Sequence, residues 1–181
     1  RCEELIAVFD DDNGEDFAIF RLDRPVNETR SPVNVRAFDD PLPLNAPVSL
    51  VGFPNGIPAK WDDGGMVSRP RAERLDYFEA TVDAFSGNSG AGVFDVDQTL
   101  VGILVRGRTD YNVDEEAECS IVNTLPTTEE NAEDITYVGR AIEALCRQGS
   151  DSVRLCQTST RGLCFPCAED DHCRPEWSCV G

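Results

Sequence analysis

Several shortages in this 181-residue chain narrow what it can do. Basic residues are few: 16 Lys and Arg stand against 34 Asp and Glu, a formal net charge of -18. Such a field repels phosphate backbones and anionic lipid, so nucleic acid is not expected as a partner. No apolar run approaches the roughly 20 residues that a membrane-spanning helix needs. Histidine occurs only once, as His172.

Cysteine, by contrast, is abundant. Eight are present, and five of them fall within the last 26 residues. This usage predicts an oxidising, extracellular setting, because disulfides persist there and not in the cytosol. The chain begins at Arg1 with neither an initiator Met nor an apolar leader, so we expect that the N-terminus of the protein has been removed or is not part of this sequence.

Short apolar, β-branched runs separated by Gly, Pro, Asn and Asp predict an antiparallel all-β domain. Between the first two strands, Asn13-Gly14 predicts a hairpin turn, since both residues tolerate a positive φ. The acidic residues around it indicate a solvated turn rather than a calcium loop, because Phe9 stands where the first ligand belongs. The predicted strands are residues 4–9, 17–22, 48–53, 65–68, 77–82, 92–95 and 100–105.

Residues 135–145 carry the only helical pattern, with Ile135, Val138, Ile142 and Leu145 spaced along one face. This helix is expected to close the β domain, which then spans residues 1–147. The polar, Gly- and Ser-containing residues 148–155 predict a linker, and residues 156–181 a small Cys-rich module.

The Cys-rich module has too little aliphatic content for a core of its own and must be cross-linked. Cys164, Cys167, His172 and Cys173 resemble a zinc set, but the secreted setting and the single CxxC favour disulfides. No metal or other cofactor is therefore predicted. The odd number of cysteines in the module suggests that one of them, Cys156 for instance, pairs with the β domain.

The run AFSGNSGAGVF, residues 84–94, is the segment that most suggests catalytic chemistry, with Ser89 as a possible nucleophile. A serine hydroxyl attacks a carbonyl only with a base in reach and donors for the oxyanion. Gly87 allows its own N–H and that of Ser89 to converge without a side chain in the way. Gly, Asn and Ser are also common residues of simple turns, so the surrounding sequence has to distinguish a catalytic loop from a turn. A strand follows Ser89, not the helix that follows the serine of an α/β-hydrolase.

Three segments in one order supply that context: DFAIFRL at 16–22, GNSGAGVF at 87–94 and VGILVRG at 101–107. With the Gly- and Pro-rich run at 51–60, they resemble the secreted chymotrypsin-like serine proteases, in particular the bacterial glutamyl-endopeptidase-like branch with its GNSGSPVF signature. The resemblance covers about residues 16–145. It implies an all-β, chymotrypsin-like double β-barrel, with the first barrel truncated and the second complete, followed by the helix and the Cys-rich module.

The resemblance implies that Ser89 is the nucleophile, that the N–H groups of Gly87 and Ser89 form the oxyanion hole, and that Asp16 orients a histidine base. Taken alone, without the other motifs, Asp16 is better explained as a turn carboxylate. In the family the histidine precedes the aspartate, whereas His172 follows Ser89 and is expected to be an exposed residue of the tail. We therefore expect the base in a missing N-terminal segment of the same protease.

Two other interpretations remain open. One is a catalytically inactive homologue that binds other molecules through its Cys-rich module. The other is a serine hydrolase that uses His172 as its base.

The resemblance also suggests substrate-binding residues for a protein or peptide substrate. Asp83 lies six positions before Ser89, where trypsin-like members keep an acidic residue that selects Arg or Lys; a simple loop carboxylate explains it equally well. Glutamyl specificity is less supported, because Leu104 replaces the family's substrate-binding histidine. Arg106 offers a positive charge instead, and Val105 and Gly107 complete the predicted substrate-binding strand.

Overall fold

A computed structural model of the chain describes residues 1–10, 15–148 and 153–156. The described part is all-β, as predicted, with short helices after the last strand and single 3-10 turns at Pro54–Gly56 and Glu129–Asn131. The elements are β1 Cys2–Asp10, β2 Asp16–Leu22, β3 Pro47–Gly52, β4 Lys60–Arg69, β5 Tyr77–Ala80, β6 Gly92–Phe94, β7 Leu100–Arg106, β8 Tyr111–Asp114, β9 Cys119–Val122, β10 Glu133–Tyr137, α1 Val138–Arg147 and α2 Val153–Cys156.

A closed barrel forms the body of the domain. Its strands follow the order β10-β5-β4-β3-β6-β7, and each neighbouring pair is antiparallel. Because the sheet closes on itself, these six strands leave no unpaired edge. The complete barrel predicted from the sequence is therefore confirmed. Its interior is filled by buried apolar side chains, among them Val67, Phe78, Ala80, Val93, Val101 and Ile135.

The N-terminal strands form a separate hairpin. β1 and β2 are antiparallel, with Asp10 opposite Asp16, and the predicted turn at residues 11–14 lies outside the described residues. Ala7 and Phe17 pack against Ala141 of α1 in a small second core. Within the described part of the chain, β1 and β2 pair only with each other.

The predicted helix is wrong at its first turn. Residues 135–137 belong to β10, and the helix begins at Val138. Local spacing suited a helix, but β10 pairs with β5 on one side and β7 on the other, which strongly favours the extended conformation. The sequence also lacks a start signal, because the N-cap residue Tyr137 makes no side-chain cap.

The hairpin of β8 and β9 escaped sequence analysis. Tyr111 lies opposite Val122 and Asp114 opposite Cys119, in a two-stranded sheet of its own. Both strands are mostly exposed, so neither carries the alternation of buried and exposed residues that marks a strand on a core. The hairpin follows β7 and approaches the serine loop, where the Phe85 and Tyr111 rings lie 5.9 Å apart.

A disulfide joins α1 to α2. Cys146 and Cys156 are bonded, with Cα atoms 5.6 Å apart, as the odd cysteine count of the module suggested. Part of the predicted linker is therefore a helical turn held to the β domain. Cys2 and Cys119 are exposed, free thiols. The remaining cysteines, His172 and the rest of the Cys-rich module lie outside the described residues.

Barrel closure gives a stability prediction at Gly102, in the middle of β7. A Cβ there would overlap the Ile135 side chain and lie 2.8 Å from both Phe78 Cε1 and Thr136 O. We expect Gly102→Ala to lower the free energy of unfolding by about 1–3 kcal/mol, measured by urea denaturation. Gly64→Ala on β4 is the control, since its methyl would meet only Asp62 Oδ1, at 3.5 Å. Equal denaturation midpoints for the two variants would contradict the prediction.

Candidate active site

Ser89 lies in the loop between β5 and β6, here called the serine loop (residues 81–91). The far end of the loop is fixed to β7: the Gly90 N–H donates to Leu104 O at 2.8 Å, and the Leu104 N–H donates to Ala91 O at 2.9 Å. Ser89 is exposed, and its Oγ donates a long hydrogen bond of 3.5 Å to Val105 O. The hydroxyl is thus held beside β7, weakly bonded and open to solvent.

Glycine is required at position 87 for two reasons. Its φ of 94° lies in the left-handed region, which L side chains disfavour. A Cβ there would lie 2.8 Å from the Asn55 backbone N, which donates to Ser86 O at 2.8 Å. The 3-10 turn at Pro54–Gly56 therefore braces the serine loop from one side and leaves no room for a side chain.

The backbone amides around the serine divide into two sets. The Asn88 N–H donates to Phe85 O at 3.0 Å, and the Gly90 N–H is bonded to β7. The N–H groups of Gly87 and Ser89, on either side of Asn88, have no acceptor among the described residues, and both residues are exposed. Two unpaired N–H groups beside an exposed serine are the donors that stabilising a developing oxyanion requires.

Asn88 is a buried polar residue between those donors, and it was not singled out from the sequence. Its side chain is 4% exposed, and its Oδ1 has no hydrogen-bond partner among the described residues. A Cβ at Gly52 would overlap this amide, so the side chain fits only because residue 52 is glycine. This packing fixes the backbone on both sides of residue 88.

Asp16 is the first residue of β2. Asp16 and the preceding Glu15 are each hydrogen-bonded to a different element. The buried Glu15 accepts a hydrogen bond of 2.8 Å from Arg140 Nε of α1. The Asp16 N–H donates to Thr136 Oγ1 of β10 at 3.0 Å. Because its neighbours and its backbone are held, the exposed Asp16 carboxylate is presented at a fixed place beside β10.

The anchor of Asp16 and that of Ser89 lie close together on paired strands. Thr136 on β10 is opposite Ile103 on β7, and Val105 is two residues further, about 7 Å along the strand. Among the described residues no hydrogen bond joins the Asp16 and Ser89 side chains. The backbone anchors of the predicted aspartate and serine thus lie on neighbouring strands of the same sheet.

Asp83 differs from the other predicted substrate-binding residues in lining a cleft. It is exposed, and its N–H donates to Asp62 Oδ2 at 2.7 Å. It lines a cleft of about 440 Å³ together with Phe85, Asn88 and Tyr111, among others. None of residues 104–107 lines that cleft.

The four predicted substrate-binding residues at the end of β7 and just after it, residues 104–107, have different environments. The Leu104 side chain is buried in the barrel core, and its backbone N–H and carbonyl bond the serine loop. Val105 contributes its carbonyl to Ser89. Arg106 Nε is 3.4 Å from Asp134 Oδ2, so its charge is already neutralised. Gly107 is exposed.

Glu133 is a further residue at this strand that sequence analysis missed. It is 7% exposed and begins β10, and a Cβ at Gly107 would overlap its carboxylate. Burial raises the pKa of Glu133 to about 7, with the carboxylate of Asp110 adding to the effect and the Arg108 backbone opposing it. A glutamate in the acidic stretch before a predicted helix gave no signal of burial.

The described residues offer neither a metal-binding cluster nor a membrane-spanning helix. In the described ranges, no group of three or more His, Cys, Asp or Glu side chains is placed to hold a metal ion. None of the helices in those ranges has the length and apolar character needed to span a bilayer.

Comparison with known proteins identifies the class. Residues 4–103, more than half of the chain, match the family model of the trypsin-like peptidase domain, and the chain belongs to that family. No curated protein sequence matches it.

Solved proteases share the fold. The inactive form of the Rv3671c protease of M. tuberculosis aligns with a TM-score of 0.51 and 17% identity, over 80% of this chain and 67% of the other. The HtrA-type protease AlgW, solved with a decapeptide, aligns with a TM-score of 0.50 and 17% identity, over 80% of this chain and 39% of the other. At this identity the likeness establishes the fold alone.

The buried carboxyl group predicts a pH dependence of stability. A carboxyl whose pKa rises from 4.5 to about 7 on folding favours the folded state below about pH 4.5 and loses that contribution as the pH rises through 7. Wild-type stability should therefore fall relative to Glu133→Gln between pH 5 and pH 8, by up to about 3 kcal/mol. Urea denaturation at the two pH values measures this. Glu130→Gln, at an exposed residue, is the control, and parallel curves for wild type and Glu133→Gln would contradict the prediction.

Proposed function

We propose that this domain is a serine endopeptidase with Ser89 as its nucleophile. The observation that carries the proposal is the exposed Ser89 hydroxyl next to two unpaired backbone N–H groups, its own and that of Gly87. A histidine base removes the hydroxyl proton as Oγ attacks the substrate carbonyl carbon, and the two N–H groups bind the oxyanion that forms. The histidine then protonates the leaving amine, and water hydrolyses the acyl-enzyme by the same route in reverse.

Asp16 has the role of orienting that histidine and stabilising its charged form. Its backbone is fixed to Thr136, and its carboxylate is exposed near the strand that holds Ser89. A carboxylate in this role stays ionised while the imidazole gains and loses the proton.

The base itself is proposed to come from polypeptide outside these 181 residues. The described residues contain no histidine, and His172 lies in the Cys-rich module. An isolated two-stranded hairpin is marginally stable, and the hairpin of β1 and β2 exposes Leu5, Val8 and Phe20 by more than half of their surfaces. Further strands that carry the histidine would cover this apolar surface and place the imidazole beside Asp16.

The setting proposed for the enzyme is extracellular, with protein or peptide substrates. The eight cysteines and the disulfide between Cys146 and Cys156 support an oxidising compartment. The net charge of -18 would draw basic peptides toward the domain.

The direct test uses the protein translated from the complete reading frame and a fluorophosphonate probe, which reacts with activated serines. We expect labelling and peptide hydrolysis in the wild type, neither in Ser89→Ala, and a kcat lower by about 10⁴-fold in Asp16→Asn. Asp63→Asn, at another exposed aspartate, and His172→Ala should retain full activity. Probe labelling that persists in Ser89→Ala would refute the proposal, and loss of activity in His172→Ala would identify His172 as the base instead.

The oxyanion hole gives a separate prediction at Gly87. An alanine there must move the Asn55 backbone or turn its own N–H away, so kcat/KM should fall by about 10²–10³-fold. Gly90→Ala is the matched comparison: its φ of 86° is equally left-handed, but nothing lies within 4 Å of the added methyl. Its loss should be smaller, and equal losses in steady-state kinetics would show that the Asn55 contact does not matter.

A further inference from the structure

The hairpin of β8 and β9 is held at its base by the backbone and side chain of one asparagine. The Asn123 N–H donates to Asp110 O at 2.7 Å, and Asn123 Nδ2 donates to Thr109 O at 2.7 Å. The Nδ2 of Asn112 donates in turn to Asn123 Oδ1 at 2.9 Å. These bonds fix the backbone of Asp110 and of the following Tyr111, which together are here called the hairpin base.

Both side chains of the hairpin base reach the serine loop or the 3-10 turn that braces it. Asp110 Oδ2 accepts the Ser86 N–H at 2.7 Å. Tyr111 Oη accepts a hydrogen bond of 2.6 Å from Asn55 Nδ2, and its ring lies beside Phe85. The Asn55 N–H donates to Ser86 O at 2.8 Å. Ser86 is therefore held at both its N–H and its carbonyl, by two elements that are bonded to each other.

The bond to the Ser86 carbonyl determines the direction of the Gly87 N–H. The two groups belong to one planar, trans peptide unit, in which the C=O and the N–H point to opposite sides. Because the Ser86 oxygen points toward Asn55, the Gly87 N–H points away from it. A rotation of this peptide unit would break the bond from Asn55 and turn the oxyanion donor out of the site.

The carboxylate of Asp110 serves the serine loop and not the hairpin itself. Its hydrogen bond to the Ser86 N–H is of the charge-assisted kind, which is about twice as strong as a neutral one. Asp114, a second half-buried aspartate of the same hairpin, accepts the N–H groups of Glu116 and Ala117 at 3.1 and 3.0 Å and so serves the hairpin's own turn. The two aspartates therefore offer a matched comparison.

We propose that Asp110 and Tyr111 are positioning residues of the proposed peptidase, and that they hold the peptide unit between Ser86 and Gly87 with the Gly87 N–H directed at the oxyanion. This inference rests on the proposed function of Ser89. Neither side chain touches the reacting atoms. Asp110 acts through the Ser86 N–H, and Tyr111 acts through the turn that bonds the Ser86 carbonyl.

Steady-state kinetics of the complete enzyme give the first test. Asp110→Ala removes the acceptor of the Ser86 N–H and should lower kcat by about 10–100-fold, less than the complete loss of an oxyanion donor. KM should change little, because the oxyanion exists only in the transition state and intermediate. Asp110→Asn keeps an acceptor oxygen and should restore most of kcat, and Asp114→Ala should retain full activity. A kcat for Asp110→Ala equal to that of the wild type would overturn the inference.

A pair of inhibitors separates positioning from a merely structural role. When Ser89 Oγ adds to the carbonyl carbon of a peptide aldehyde, its proton passes to the base and the aldehyde oxygen becomes an oxyanion. The corresponding peptide alcohol binds the same surface but forms no oxyanion. Asp110→Ala should raise the Ki of the aldehyde by about 10–100-fold and leave the Ki of the alcohol unchanged. Equal changes in the two Ki values would show a general disturbance of the site and contradict the inference.

Tyr111→Phe provides a second variant if Asp110→Ala does not fold. It removes only the Oη that accepts from Asn55 Nδ2 and keeps the ring beside Phe85. The Ki of the aldehyde should rise by about 3–10-fold, since one neutral hydrogen bond is lost. Tyr77→Phe, on β5, is the control and should leave this Ki unchanged. The same Ki in Tyr111→Phe and in the wild type would contradict the role of Tyr111.

An NMR measurement separates failure of this inference from failure of the proposed function. In the complete protein labelled with ¹⁵N-glycine, the Gly87 amide resonance should shift in Asp110→Ala and stay in place in Asp114→Ala. An unshifted Gly87 resonance would refute the inference even in an active enzyme. A shift in a protein that neither cleaves peptides nor binds the aldehyde would support the positioning of Gly87 and refute only the role of Ser89.

Discussion

The pairing of β10 with both β5 and β7 is the interaction on which the rest of the structure depends. It closes the barrel and buries Ile135 completely. It also leaves no space for a side chain at residue 102 of β7, where the chain has glycine. The same pairing determines the site. β10 carries Thr136, the anchor of Asp16, and β7 carries the carbonyls that hold the serine loop. Closure of one sheet thus positions residues that are 73 positions apart in sequence, Asp16 and Ser89.

The backbone N–H groups of the serine loop fall into two sets, those with an acceptor and those without one among the described residues. Alternate amides at residues 88 and 90 hold the loop in place, and the amides at residues 87 and 89 remain available. Such an arrangement costs stability, because two donors gain no partner and two glycines adopt positive φ. The rigid barrel and the 3-10 turn at Pro54–Gly56 offset that cost. Asn88, a buried residue whose Oδ1 has no hydrogen-bond partner among the described residues, lies in the same loop.

The strands and the serine motif could be predicted because each depends on local order. Alternation and turn residues marked seven strands to within a few residues, except β4, which runs five residues further toward its N-terminus. The segments at 16–22, 87–94 and 101–107 resemble those of chymotrypsin-like serine proteases, and residues 4–103 match the trypsin-like peptidase domain. The first turn of the predicted helix was wrong, because an i, i+3 pattern cannot distinguish a helix from a buried strand followed by one. The hairpin of β8 and β9 was missed because it packs on no core.

Sequence by itself determined the class of fold, the glycine-flanked serine motif and the overall charge, since these follow from residue types and turn chemistry along the chain. Only the tertiary structure decided which residues face one another. It buried the Leu104 side chain, paired Arg106 with Asp134, and placed Asp83 in a cleft that residues 104–107 do not line. It also buried Glu133 against Gly107, 26 residues away in sequence. The physical reason is that burial and charge pairing arise between strands that meet only when the barrel closes, so no local pattern in the chain records them.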